Sequence, residues 1–157
     1  MDSAAAAFGD RSAAACDLPR AGAGRVSRHH FPVRIYYEDT DFSGNVYHAA
    51  YLKFFERGRT EFLRAEGIHH AELAGQGIAF AVRSMEIAFD GAAHIDDLLT
   101  VTTEVAAVTG ARLTLTQTIL RGETVLTRAS VVVAAIKTSG GPARLPKAVL
   151  ERFAPAR

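Results

Sequence analysis

At 157 residues with a net charge of +1, the chain has the length of one domain and no charge excess to hold nucleic acid or an anionic membrane. Its single Cys excludes an internal disulfide, and its longest strictly aliphatic run, 131–136, is far shorter than the roughly 20 residues of a membrane helix. Composition therefore predicts a soluble, cytoplasmic protein without membrane insertion.

Residues 1–27 are rich in Ala, Gly and Ser, with Asp10 and Arg11 interrupting the Ala tracts. Such a segment buries too little apolar surface to offset its ordering entropy, so it reads as a flexible extension ahead of a domain spanning 28–157. Asp2, Asp10 and Asp17 argue against a signal or transit peptide, and Cys16 there lacks a structured base to activate it.

Within the domain, Val33 to Glu38 reads as a strand, and the run Asp-Thr-Asp-Phe-Ser-Gly-Asn that follows, 39–45, has turn composition. Tyr51, Phe55, Gly58, Phe62 and Ala65 then recur at helical spacing, predicting a helix from about His48 to Glu66 with Gly67 as its stop. Gly58 costs about 1 kcal/mol relative to Ala inside a helix, so its place in the apolar stripe predicts close approach of another backbone. Glu56, Arg57, Arg59 and Glu61 read as the wet face, with Arg59 alone having some chance of burial. Four runs rich in Val, Leu, Ile and Thr follow at 79–89, 98–108, 112–120 and 124–137, and a short helix is expected at 146–153. The short connections between the last three runs leave no room for crossover helices, so they must be antiparallel neighbours. The fold class is α+β, one long helix against a five-stranded antiparallel sheet.

The acids of 38–41 thus sit at the mouth of the long helix, whose first N–H groups lack internal partners and attract negative charge. Asn45 is a reasonable N-cap, which leaves the N–H groups of Val46, Tyr47 and His48 pointing outward. Asp41 either balances the helix dipole or does chemistry there. A calcium loop starting at Asp39 fails, because its twelfth position is Ala50 rather than Glu. Asp39, Asp41 and His48 have no recognisable metal-ligand spacing, so no metal site is expected. His69 and His70 read as an exposed turn, and no nucleophile elbow or phosphate loop is present.

The stretch 33–64, VRIYYEDTDFSGNVYHAAYLKFFERGRTEFLR, resembles the signature of the hotdog-fold acyl-CoA thioesterases, specifically the 4-hydroxybenzoyl-CoA thioesterase family and its Tol-Pal-associated branch. The resemblance continues more weakly over FAVRSMEIAFDGAAHIDDLLTV at 80–101 and ARLPKAVLERF at 143–153, so it covers about 32–153. It implies a sheet curled around the long helix, and a hydrolase that releases a free acid and coenzyme A from an acyl-CoA. Asp41, seven positions before His48, would be the nucleophile or general base. The N–H groups of Tyr47 and His48 would form the oxyanion hole, and the His48 side chain would orient water or the leaving sulfur. Arg144 and Lys147 would hold the phosphates of coenzyme A, which belongs to the substrate, so no cofactor is implied. The resemblance also implies a homodimer assembling into a homotetramer. A hotdog protein that binds acyl groups or acts as a scaffold without turnover remains the alternative, because fold alone does not confer chemistry.

Overall fold

The computed structural model describes residues 28–154. The predicted N-terminal extension and Cys16 lie outside the described residues. The long helix, α1, spans His48–Ala65 and buries Tyr51, Phe54, Phe55, Gly58, Phe62 and Leu63 along one stripe. Gly67 stops it at φ +78, with the Gly67 N–H donating to the Arg64 carbonyl and the Ile68 N–H to that of Leu63. That pair of bonds closes a helix on a left-handed residue, where Gly is favoured.

Five strands form one antiparallel sheet: β1 (His29–Arg34), β2 (Ile78–Phe89), β3 (Leu98–Val108), β4 (Arg112–Arg121) and β5 (Thr124–Lys137), in the order β1-β3-β4-β5-β2. The last four match the sequence expectation to within a residue. Their alternation sends Leu99, Val101, Leu113, Leu115, Ile119, Val131 and Val133 to the face that α1 covers. A close approach is present at Gly58, but side chains make it rather than the backbone that was expected: a Cβ there would lie 2.6 Å from Val101 Cγ1 and 3.4 Å from Gln117 Nε2.

The first strand is a correction. It runs His29–Arg34 rather than Val33 to Glu38, and Tyr37–Asp39 instead form a turn of 3-10 helix. The Tyr36 N–H donates to Asp39 Oδ2 at 2.8 Å, which bends the chain before it can extend. Pro32 falls inside the strand without harm because β1 is an edge strand paired only with β3. A second helix, α2 (His70–Gly75), replaces the turn expected at His69 and His70. The last helix, α3 (Lys147–Phe153), begins one residue after the predicted start. Among the described residues no helix is long and apolar enough to cross a membrane.

Candidate active site

The segment between the 3-10 turn and α1 is a tight loop held by its own backbone. The Asp41 N–H donates to the Asn45 carbonyl, and the Gly44 N–H donates to the Asp41 carbonyl, each at 3.0 Å. Gly44 adopts φ +81, which costs a glycine little. The loop presents the Asp41 carboxylate to solvent, with Oδ1 accepting from the Ser43 N–H (2.8 Å) and the Ser43 hydroxyl. The Ser43 hydroxyl and then its N–H hold the carboxyl below its ordinary value, against a small effect of burial, and the nearby His48 acts in the same direction. Asp41 is therefore ionised at neutral pH.

The helix start differs from the expectation in a way that moves the donors. The N-cap is Tyr47, with φ −61 and ψ 132, and not Asn45, whose backbone bridges to His94. The Val46 N–H is taken by the Ala93 carbonyl at 2.8 Å, and the Tyr47 N–H by the Asp39 carbonyl at 2.9 Å. Tyr47 is thus removed as an oxyanion donor, because its N–H closes the loop. No side chain caps α1, and among the described residues the N–H groups of His48 and Ala49 have no acceptor. These two carry the helix's positive end.

The His48 ring is exposed and meets Tyr47 edge-on with centroids 4.6 Å apart, and Phe89 at 6.5 Å. Phe89, at the end of β2, also meets Tyr51 at 5.6 Å. Tyr51, buried on α1, accepts the Ala93 N–H through its Oη at 3.1 Å. Asp41, His48 and the free first-turn donors therefore share one end of α1.

Arg144 and Lys147 do not join them. The Leu145 N–H donates to the Gly110 carbonyl, and Phe153 stacks on Phe62 at 5.4 Å, which places this segment at the far end of α1. An 18-residue helix spans about 27 Å, so within one chain neither cation reaches Asp41. Lys147 pairs with Glu151 at 3.4 Å instead. Among the described residues no three His, Cys, Asp or Glu gather as metal ligands.

Sequence reasoning missed a polar network inside the core. Gln117 is fully buried, and its Nε2 donates to the Phe55 carbonyl (3.0 Å) and to Thr103 Oγ1 (2.9 Å). Arg59 Nη1 donates to Gln117 Oε1 at 3.1 Å. The signal was available: Gln117 falls in the same period-two series as Leu113, Leu115 and Ile119 on the inward face of β4.

Comparison with known proteins agrees with this layout. The family model described as the thioesterase-like superfamily matches residues 36–153. An acyl-CoA thioesterase YbgC from Haemophilus influenzae is 46% identical over 125 residues, covering 78% of this chain and 92% of that protein. An acyl-CoA thioester hydrolase YbgC from Escherichia coli is 41% identical over 125 residues, covering 78% and 93%. The crystal structure of a probable thioesterase from Bartonella henselae superposes with a TM-score of 0.74 at 50% identity, covering 76% of this chain and all of that one.

Proposed function

The chain belongs to the thioesterase-like superfamily, and on that premise we propose that it hydrolyses an acyl-CoA at the start of α1, with Asp41 as the reacting carboxylate. The activity is that of an acyl-CoA thioesterase with a hotdog fold, and the chain's own residues supply the chemistry.

The observation that carries the assignment of roles is the pairing of an exposed, ionised Asp41 with the unpartnered N–H groups of His48 and Ala49. In the general-base form, Asp41 takes a proton from water as its oxygen attacks the thioester carbon. The developing oxyanion is received by the His48 and Ala49 N–H groups, the electrostatic element usually worth most in acyl transfer. Collapse breaks the C–S bond and releases coenzyme A as a thiolate. With a thiol pKa of about 8.5 this leaving group needs little protonation, so no Ser-His-Asp triad is required. In the nucleophilic form, Asp41 attacks the carbon itself and water then hydrolyses the mixed anhydride. Either form leaves the His48 imidazole to orient the water or the sulfur.

The same reading places the reaction in the cytoplasm and has the chain assemble with copies of itself, both on the resemblance, with the open edge of β2 supporting the second. A link to the Tol-Pal system rests on the resemblance alone. The test is free-thiol release from a panel of short, long and aromatic acyl-CoA esters by wild type and Asp41→Asn. We expect turnover to fall by about 10²-fold or more in a folded variant. Undiminished turnover would remove Asp41 from the mechanism, and binding of acyl-CoA without any turnover by wild type would favour a non-catalytic acyl-binding protein.

A further inference from the structure

Midway along α1, on the flank facing β2, lies a cavity of about 140 Å³ with apolar walls at Leu63, Phe80, Leu113 and Val133, and with Glu56 and Thr60 also in its lining. Arg59 lines it and is only 9% exposed. A buried guanidinium needs a counter-charge, since desolvating an unpaired ion is costly. None of the ion pairs among the described residues includes Arg59. Apart from its bond to Gln117, its remaining N–H donors have no acceptor among the described residues, and none of these nitrogens is wholly buried. Burial pulls the pKa of Arg59 down and only the charge of Glu56 opposes it. The Glu56 carboxylate is itself turned to Thr60, accepting its hydroxyl at 2.9 Å.

The cavity is also in line with the site. α1 rests mainly on β1 and β3, and its other flank forms a looser seam with β2, met at Phe89 and again at the cavity. Phe89 of β2 touches His48 and Tyr51 at one end of that seam, and Phe80 and Val82 line the cavity further along. Arg59 sits about 16 Å up the axis from His48 at about 1.5 Å per residue, and long helical side chains point back toward the N-terminus. The Arg59 side chain covers part of that interval, and an acyl chain of medium length held at the helix start covers the remainder.

We propose that this cavity is a carboxylate subsite in which Arg59 receives the distal carboxylate of an ω-carboxyacyl group whose thioester lies at Asp41, an inference that rests on the thioesterase reading. A planar guanidinium with free donors matches a carboxylate, and the apolar walls match the methylene stem. A free carboxylate such as the released acid offers the same chemistry, and the test separates the two sources.

Thiol release is measured for the full chain with esters of matched length ending in methyl or in carboxylate, octanoyl-CoA and its ω-carboxy counterpart first. The carboxylate-ended ester should have a kcat/KM about tenfold or more higher, a preference that Arg59→Gln removes and Arg59→Lys keeps in part. A thermal upshift by free octanoate over octanol that depends on Arg59, without a preference between esters, would assign the cavity to the free acid. No preference and no upshift in wild type would overturn the proposal, and this holds even if Arg59→Gln does not fold. Turnover of the methyl-ended ester in that case leaves the thioesterase reading standing. A carboxylate upshift without turnover of any ester would do the reverse.

Discussion

At Gly58 a single methyl group separates a good helix from a broken contact. Replacing it with Ala gains about 1 kcal/mol of helix propensity, but the new Cβ would lie 2.6 Å from Cγ1 of the fully buried Val101. Overpacking of a well-filled core costs about 1–3 kcal/mol, so Gly58→Ala should be destabilising on balance, read as a lower urea midpoint. Val101→Ala should then cost less in the Gly58→Ala background than in wild type, because it removes the clashing methyl, and additive losses would mean that the helix does not sit this close. Gly58 was legible in the sequence because a helix-weakening residue stood in an apolar stripe. The occupied Tyr47 N–H was not, since its acceptor is the Asp39 carbonyl and backbone carbonyls leave no mark in a sequence.

The loop 90–97 joins β2 and β3, which are not neighbours in the sheet. Asp97 accepts from the His94 N–H and from Arg121 Nη1, both at 2.9 Å, and its carbonyl accepts the Ile35 N–H. The loop therefore ties β4 to the chain leaving β1, while Tyr51 ties it to α1. The His94 N–H holds the Asp97 carboxyl below its ordinary value of 3.8 against the opposing effect of burial, and Arg121 adds to the lowering. For an acid with a depressed folded pKa, the stabilisation is complete above the unfolded value and is lost as pH falls through the folded one. Asp97→Asn should therefore lower the urea midpoint at pH 7, and the gap to wild type should narrow as pH drops below 3.8; a gap that is constant with pH would mean the charge is irrelevant. Elements with long patterns were legible, as α1 and the four later strands show. Two short ones were not: α2 has only six residues, too few to show a period, and β1 was displaced because the bend at Tyr36 depends on a side chain reaching back along the chain.

Across the whole molecule the two ends of α1 are unlike. One end carries Asp41, His48 and the free donors, and the other carries α3 with Arg144 and Lys147, so one chain holds the expected reacting groups and the expected phosphate-binding cations about a helix length apart. This separation could not be read from the sequence, because distance along α1 enters only once its direction over the sheet is known. At the flank, β2 is a 12-residue edge strand whose outer side is unpaired among the described residues, and Val82 and Phe89 on it are about half exposed. An edge this long is normally covered or paired, and a second copy of the same strand is the self-complementary partner that a two-fold axis supplies. Because Phe89 touches His48, a copy docked on β2 would sit beside the reacting groups. Specific activity per chain should then fall on dilution over the same concentration range in which sedimentation shows dissociation. A monomer with undiminished specific activity would show that one chain completes its own site, and would leave the open edge of β2 without a catalytic role.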